Sequence, residues 1–242
     1  MTKAKARALP RRTIPSGSAG RNLAAASPSR SRQEPRAPAP RDVKATPAGG
    51  MQLFDPNGAR KYLTVAERDR FLKAAELAPR EARTLCMTLA WSGCRLSEAL
   101  ALSADRVDLA AGVLVFESLK KRQVGIYRAV PVPPALLDAL DLVHGIRQAQ
   151  KRRDRGQAVR LWPWARMTGW RAVHAVMLDA DLSGPAASPK GLRHAFGVAA
   201  VANAIPLNLV QKWLGHAQLT TTAIYANAVG AEEQDIARRM WG

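Results

Sequence analysis

The sequence predicts an α+β fold that is mainly helical and has a small three-stranded antiparallel sheet at one edge. Apolar residues recur with helical spacing along most of the chain after residue 60. Two central stretches, 105–118 and 127–133, instead alternate apolar and polar residues around turn signals, as short strands do. A chain of 242 residues with 47% apolar residues can build one substantial domain or two small ones.

Positive charge is the strongest signal in the composition. The chain has 37 Lys and Arg residues against 19 Asp and Glu, which gives a formal net charge of +18 and a pI of about 11.1. Such a charge favours a polyanionic partner, because binding releases the counterions of that partner. We therefore expect nucleic acid first, and an anionic membrane surface only second.

The sequence lacks the signals of disulfide bonding, export and membrane insertion. Cys86 and Cys94 lie in or beside one predicted helix without a partner cluster, so neither a disulfide framework nor a zinc site is predicted. No apolar run approaches the roughly 18 residues that a membrane span needs, and the N-terminus has no apolar signal core. We expect a soluble protein of a reducing bacterial cytoplasm, associated with the nucleoid.

Residues 1–55 are predicted to form a disordered basic arm rich in Pro, Ser and Arg. The first 50 residues contain seven prolines and 11 Lys and Arg against two acids, which is half of the net charge. Such a segment cannot bury enough apolar surface to offset the entropy of ordering it. It is either an arm that binds DNA non-specifically or a solubilising tail. An organelle transit peptide is a third alternative, which the prolines disfavour.

The globular part is predicted to begin with three helices. Thr64 and Glu67 form a capping box, and Pro79 ends the first helix. The apolar face of this helix is predicted to comprise Phe71, Leu72, Ala75 and Leu77. The second helix, ARTLCMTLAWSG, runs to a Ser-Gly break, and LSEALAL starts a third helix directly after Arg95.

A small sheet and a second group of helices follow. Residues 105–118 predict two strands around an Ala-Gly turn, and YRAVPVP predicts a third strand after the loop LKKRQVGI. One helix is predicted from Pro134 to about Arg152 and another near 168–180. Further helices are predicted in SPKGLRHAFGVAAVANA, in LNLVQKWLG, in TTTAIYANAV and in the amphipathic EEQDIARRMW.

Five short sites carry residue types that suit the cleavage of a phosphodiester without a metal ion. They are Arg95, Lys120 with its neighbour Lys121, Lys190 with Arg193, His216 and Tyr225. Guanidiniums can bind the phosphate oxygens, a lysine can protonate the leaving oxygen, a phenol can attack phosphorus, and an imidazole can bind the phosphate or carry a proton. No carboxylate cluster indicates a metal site, so no metal or other cofactor is expected.

Each of these residues also has an ordinary structural interpretation. Arg95 could pair with Glu98 on the next turn of its helix. The loop lysines could simply be solvated, and the second arginine box could be a charged helix face. His216 could follow a helix C-cap, and Tyr225 could be a core aromatic. Taken singly, the residue types leave both interpretations open.

The order and spacing of four motifs resemble the tyrosine recombinase (phage integrase) family. SGCRLSEAL resembles its first arginine box, the lysine loop ahead of RAVPVP its sheet lysine, PKGLRHAF its second arginine box, and WLGHAQLTTTAIYA its histidine and nucleophile box. Leu-Gly-His followed by Tyr nine residues after the histidine is the most specific of these motifs. The motifs follow the family's order across residues 60–228 and imply a catalytic domain over residues 56–242.

The resemblance implies a site-specific DNA recombinase or integrase. Tyr225 would attack a DNA phosphodiester, form a 3′-phosphotyrosine and release a 5′-hydroxyl. The covalent intermediate keeps the bond energy, so neither ATP nor metal would be required. Arg95 and Arg193 would bind the non-bridging oxygens, His216 would add a hydrogen bond, and Lys120 would be the general acid.

The resemblance also suggests supporting roles. Glu98 would orient the first arginine, and Lys121 is an alternative general acid. The threonines ahead of the tyrosine are expected to cap its helix. Lys190 stands where the family usually has histidine; with an ordinary pKa of about 10.4 it would be a phosphate contact, or a base only if its cationic surroundings lower that pKa. His194 is expected to be structural.

The family normally has a helical core-binding domain ahead of the catalytic domain. Residues 1–59 are too short and too rich in proline to form one. DNA affinity is therefore expected to depend on the basic arm, on an accessory protein that supplies the clamp, or on sequence ahead of residue 1. Double-stranded DNA and a homo-oligomer, dimer to tetramer, are the expected partners. A type IB topoisomerase-like relaxing activity and a catalytically inactive DNA-binding relic are the alternatives.

Overall fold

Helices make up about half of the described residues, and in chain order a small sheet stands between the first three helices and the rest. The computed structural model describes residues 52–118, 125–152, 159–227 and, near the C-terminus, 237, 238, 240 and 241. The helices are α1 (Val65–Leu77), α2 (Arg80–Ser92), α3 (Leu96–Leu100), α4 (Pro134–His144), α5 (Ile146–Lys151), α6 (Arg166–Asp179), α7 (Pro189–Ala202), α8 (Leu207–Leu214) and α9 (Thr220–Ala223). The strands are β1 (Val107–Asp108), β2 (Val113–Glu117) and β3 (Tyr127–Pro131), with 3-10 turns at Ala104–Arg106 and Ile224–Asn227.

The three strands form one antiparallel sheet in the order β1-β2-β3. Leu114 of β2 pairs with Val107 of β1 and with Val130 of β3, and all three side chains are buried. One face of the sheet therefore packs on the core. The predicted fold class, mainly helical with a three-stranded antiparallel sheet, is confirmed. Residues 119–124, which join β2 to β3 and include the two loop lysines, lie outside the described residues.

Helix α1 begins with the predicted capping box. The Thr64 hydroxyl accepts a hydrogen bond from the Glu67 N–H (3.2 Å), and the Glu67 carboxylate accepts one from the Thr64 N–H (2.8 Å). Phe71 and Ala75 are buried as predicted, but Leu77 is 91% exposed. Its assignment to the apolar face was wrong, because two residues rotate a helix by about 200° and place Leu77 opposite Ala75.

The helix predicted from Pro134 to about Arg152 is instead two helices. The chain breaks at Gly145, whose φ of 62° is left-handed and favours glycine. The Gly145 N–H donates to the Asp141 carbonyl and closes α4, while the Asp141 carboxylate accepts the N–H of Arg147 at the start of α5 (2.8 Å). The apolar period continues across this break, which is why the pattern did not reveal it.

The buried side chains form two clusters. The larger contains residues of α1 to α4, the sheet and α6, and its largest fully buried side chain is Trp162, whose indole N–H donates to the Glu81 carbonyl (2.8 Å). The smaller cluster joins Leu53 and Tyr62 to α7, α8 and Tyr225. Leu53 lies in the stretch that the sequence analysis assigns to the basic arm.

Both cysteines are buried in the larger cluster as free thiols. Burial raises the pKa of Cys86 and of Cys94 to about 12, so neither is a thiolate at neutral pH. Among the helices described, none combines the length and the apolar character needed to cross a membrane.

Candidate active site

A buried carboxylate organises the joint between α2 and α3. Glu98 accepts hydrogen bonds from the backbone N–H of Arg95 (2.9 Å) and from its Nη1 (2.7 Å). The Glu98 side chain is fully buried, whereas that of Arg95 keeps 27% exposure. The Arg95–Glu98 salt bridge, the ordinary structural interpretation given above, therefore forms. It leaves other donors of the Arg95 guanidinium accessible to a ligand.

Glu98 has a second cationic partner, Arg128 of β3, which the sequence analysis did not identify. Arg128 donates from Nη2 to the Glu98 carboxylate (2.6 Å) and from Nε to the Trp213 carbonyl in α8 (2.7 Å). Its Nη1 is buried and has no hydrogen-bond partner among the described residues. Arg128 thus ties the sheet to both α3 and α8. Arg128 and Val130 are two residues apart in β3, so both side chains point to the buried face of the sheet. The alternation of the strand could therefore have predicted that Arg128 is buried.

Arg193 of α7 joins the first arginine box to the histidine box. It is 5% exposed, and it donates from Nη1 to the Gly93 carbonyl (2.7 Å) and from Nη2 to the Leu214 carbonyl (2.6 Å). A guanidinium has five N–H donors, so these two bonds leave others for a ligand. Burial lowers the pKa of Arg193 to about 10, and the charge of Arg95 acts in the same direction. Arg193 therefore remains charged at neutral pH.

His216 follows Gly215, the left-handed residue that ends α8 (φ 66°). Its Nδ1 lies 2.9 Å from the Thr222 hydroxyl, and its Nε2 is buried without a hydrogen-bond partner in the described part of the chain. Burial lowers the pKa of His216 to about 3, with the charge of Arg193 as the next cause. The imidazole is therefore neutral at physiological pH, and its Nε2 is available to a ligand.

The threonines start the helix ahead of Tyr225, as expected, but they do not cap it, so that part of the prediction was wrong. The N-cap of α9 is Leu219, and no side chain bonds to it. Leu219 already has helical backbone angles (φ −65°, ψ −32°), which places Thr220 inside the first turn instead of before it. The hydroxyl of Thr222 instead orients the imidazole of His216.

Tyr225 packs its ring on α7 and against the imidazole of His216. Gly197 of α7 makes the room, because a Cβ there would lie 2.5 Å from the Tyr225 Cζ. The rings of Tyr225 and His216 are stacked, with centroids 6.2 Å apart and planes inclined by 16°. The Tyr225 hydroxyl lies 3.3 Å from Nδ1 of His194. Burial raises the pKa of Tyr225 to about 12, against the opposing charges of the two site arginines.

A cavity of about 290 Å³ opens beside these residues, between the β2–β3 hairpin and α8. Its lining includes Arg128, Lys212 and His216. Arg128 and His216 also each have a buried nitrogen without a partner among the described residues. Such groups cost free energy until a ligand satisfies them. The two cationic side chains in the lining, Arg128 and Lys212, suit an anion.

The remaining candidates divide into those that the structure describes and those that it does not. Lys190 is exposed at the start of α7, and its charge lowers the pKa of the neighbouring His194. Lys120 and Lys121 lie outside the described residues. Within the described ranges, no group of three or more His, Cys, Asp or Glu side chains is placed to hold a metal ion.

The motifs that form this site match a known protein family. Residues 61–231 match the family model of the phage integrase family. The chain belongs to this family. One similar family member, tyrosine recombinase XerC of Pseudomonas putida (strain F1), is 32% identical over 193 residues. The alignment covers 75% of this chain and 60% of XerC, so the chain spans less than two thirds of that relative.

Solved structures of a recombinase and of an integrase have the same fold. The crystal structure of XerA recombinase has a TM-score of 0.63 and 22% identity, and the match covers 75% of this chain and 65% of XerA. The catalytic domain of bacteriophage HP1 integrase has a TM-score of 0.51 and 20% identity, and the match covers 73% of this chain and 93% of that domain. The described chain therefore has the fold of a tyrosine recombinase catalytic domain.

In this phage integrase family member, residues far apart in sequence meet at one place. Glu98 bonds Arg128, and Arg193 bonds both the Gly93 carbonyl at the α2–α3 joint and the Leu214 carbonyl at the end of α8. Tyr225 is held against α7 by the smaller core cluster and by the imidazole of His216, on which its ring stacks. The catalytic roles inferred for these residues stay predictions.

Glu98→Gln is expected to destabilise the protein by about 3 kcal/mol at pH 7, because it removes the charge from a buried ion pair. Burial opposes the charge of Glu98, but the bonds from Arg128 and Arg95 outweigh it and lower the pKa of Glu98. The folded pKa lies below the unfolded value of about 4.3, so this stabilisation is present above pH 4.3 and is lost as the pH falls through the folded pKa.

Urea denaturation at pH 7, 5 and 3 measures this effect. Wild type is expected to lose more free energy of unfolding between pH 5 and pH 3 than Glu98→Gln does. Glu67, whose pKa Arg60 lowers to about 2, is present in both proteins, and its contribution cancels in the comparison. Equal losses in the two proteins would contradict the assigned role of the Glu98 carboxylate.

Proposed function

We propose that this chain is a site-specific DNA recombinase or integrase that cuts and rejoins DNA through a 3′-phosphotyrosine. The observation that carries the proposal is the position of Tyr225. Its ring stacks on the imidazole of His216, and its hydroxyl lies at the α7 turn that bears Arg193. The position of each remaining group beside this phenol then suggests one role in the transfer of a phosphoryl group.

The guanidiniums and the imidazole provide electrostatic stabilisation for the transition state. Arg95 and Arg193 bind the two non-bridging oxygens, where negative charge develops during attack. Nδ1 of the neutral His216 ring lies 2.9 Å from the Thr222 hydroxyl. The proposed role assigns this hydroxyl as the donor, which puts the single ring proton on Nε2, where it can bond a phosphate oxygen. Arg128 lines the neighbouring cavity together with His216, and its buried Nη1 has no hydrogen-bond partner among the described residues.

Proton transfer completes the reaction. The Tyr225 oxygen forms a bond to phosphorus while the bond to the 5′-oxygen breaks, and Lys120 or Lys121 gives that oxygen a proton. The 5′-hydroxyl of a partner strand later attacks the phosphotyrosine, which restores the DNA and the phenol. Lys190 contributes a phosphate contact. No ATP is consumed, because one phosphoester replaces another at each step.

Double-stranded DNA is the proposed partner, bound by a homo-oligomer on the nucleoid. Strand exchange joins two duplexes, so at least two copies of the chain must act together. A relaxing enzyme would instead act on one duplex as a monomer. Relaxation of supercoiled plasmid by dilute protein, without recombinant products, would favour the topoisomerase alternative.

A nicked duplex that loses a short fragment after cleavage tests the proposal. The released fragment cannot return its 5′-hydroxyl, so the covalent intermediate accumulates. We expect a denaturation-resistant protein–DNA adduct, with the nucleotide on the peptide that contains Tyr225. No adduct on any candidate recombination site, together with ordinary DNA binding, would favour the inactive relic.

DNA affinity is expected to fall steeply with salt, and deletion of residues 1–50 is expected to flatten that dependence. The segment carries a net charge of +9 out of +18. Each phosphate contact contributes roughly −0.9 to the slope of log K against log salt concentration. Fluorescence anisotropy between about 50 and 200 mM salt measures both slopes. The same slope with and without the segment would show that it is a solubilising tail.

A further inference from the structure

His194 has no role in the reaction as proposed so far, yet it contacts the nucleophile. It follows Arg193 on α7 and is completely buried. Its Nδ1 lies 3.3 Å from the Tyr225 hydroxyl, and the two ring centroids are 5.9 Å apart. This is the one hydrogen bond of the Tyr225 hydroxyl among the described residues. The distance is long for a hydroxyl donor, as catalytic hydrogen bonds often are before substrate binds.

The surroundings of His194 determine the charge of its ring. Burial lowers the pKa of His194 to about 4, and the charges of Lys190, Arg193 and Lys61 act in the same direction. The ring is therefore neutral and has a single proton. Its Nε2 is buried without a hydrogen-bond partner in the described part of the chain. The 3.3 Å contact fits two arrangements: with the proton on Nε2 the phenol donates to Nδ1, and with the proton on Nδ1 the ring donates to the phenol oxygen.

We propose that His194 is the positioning residue of the nucleophile, and that it accepts the O–H of Tyr225 at Nδ1 and so fixes the direction of the oxygen's lone pairs. This inference rests on the proposed function. If the hydroxyl proton points at α7, the lone pairs of the oxygen point away from α7, toward the DNA phosphate of the proposed reaction. The gain is orientational, since attack on phosphorus requires an aligned lone pair.

His194 does not act as a base in the DNA-free protein. With a pKa of about 12 for Tyr225 and about 4 for His194, transfer of the proton is unfavourable by a factor of ~10⁸. The contact therefore holds a hydrogen bond and not an ion pair. The competing account is that His194 merely fills space in the core, and three variants separate the two.

His194→Phe keeps a ring of similar size and removes the acceptor. His194→Asn keeps an acceptor oxygen near the position of Nδ1 and loses volume. His194→Gln is the matched control, because its amide reaches the position of Nε2 instead. A space-filling role predicts that Phe is tolerated best, whereas a positioning role predicts that Asn is.

Single-turnover adduct formation on the nicked duplex distinguishes these accounts. His194→Phe and His194→Gln are expected to react about 10–100-fold more slowly than wild type, with Asn recovering most of the rate. Thermal midpoint and DNA affinity are measured on the same proteins. A wild-type rate in His194→Phe, or a rate that follows stability alone, would overturn the proposal.

A duplex with sulfur in place of the leaving 5′-oxygen adds a second readout. A thiolate leaves without a proton, so this duplex relieves a defect in the general acid. Lys120→Ala or Lys121→Ala, whichever is defective, is expected to recover on it, whereas His194→Phe stays slow. Recovery of His194→Phe would place the histidine on the leaving-group side and overturn the proposal.

Histidine-selective ¹⁵N spectra test the contact without any reaction. The chain has four histidines, so assignment by single substitutions is practical. We expect His194 to be protonated at Nε2 and its Nδ1 signal to shift in Tyr225→Phe. A proton on Nδ1, or no shift, would refute the contact even if the wild type forms the adduct. If this shift is present but the wild type forms no adduct, the proposed function is refuted, while the contact between His194 and Tyr225 stands.

Discussion

Tyr225→Phe is expected to form no covalent adduct with the nicked duplex, a loss of at least ~10⁴-fold, while it folds and binds DNA as wild type does. The substitution deletes one oxygen and keeps the ring that stacks on His216 and packs on Gly197. The lost hydrogen bond to His194 costs about 1 kcal/mol. Denaturing gels measure the adduct, and anisotropy measures the binding.

Tyr62→Phe is the matched control for that variant. Tyr62 is also buried in the smaller core cluster, and its hydroxyl lies in no part of the proposed reaction. It is expected to form the adduct at the wild-type rate. An adduct of normal yield in Tyr225→Phe, carried on another peptide, would show that the nucleophile is misassigned.

Arg193→Met is expected to lower adduct formation by about 10³-fold and to destabilise the fold by about 2–4 kcal/mol. The rate falls because the variant loses the charge that the proposed function assigns to a phosphate oxygen. The stability falls because the buried carbonyls of Gly93 and Leu214 both lose their donor. Relief of repulsion with Arg95 offsets part of that cost. Single-turnover cleavage and urea denaturation measure the two effects.

Arg193→Lys separates charge from geometry. An ammonium keeps the charge but cannot span both carbonyls and a phosphate, so a loss of about 10²-fold in cleavage is expected. Arg171→Met, at an exposed position of α6, is the control and should change stability by less than about 0.5 kcal/mol. A destabilised Arg193→Met that still cleaves at the wild-type rate would restrict Arg193 to a structural role.

The sequence predicted those parts of the fold that local chemistry determines. The Thr64 cap depends on residues three apart, and the hairpin depends on alternation within a few residues, so both are visible in a short window. The break at Gly145 was missed because glycine alone does not show whether its φ is positive. The exposed Leu77 shows that an apolar residue near a helix face need not lie on it.

The site was predicted in part because its motifs are local and its supporting contacts are not. The two arginine boxes and the His-Tyr spacing are each legible within about ten residues. Arg128 bonds Glu98 across 30 positions, and His194 reaches Tyr225 across 31. Thr222 bonds His216 across a turn whose shape depends on Leu219. Such contacts exist only after the chain has folded.

The smaller core cluster contains both Leu53, near the start of the described chain, and Tyr225, near its end. A polypeptide emerging from the ribosome would therefore lack the packed Tyr225 until residue 225 has been released and has reached α7. Under the proposed function, a fragment without either end of this cluster would keep basic residues but not the seated phenol, so we would expect it to bind DNA without cleaving it.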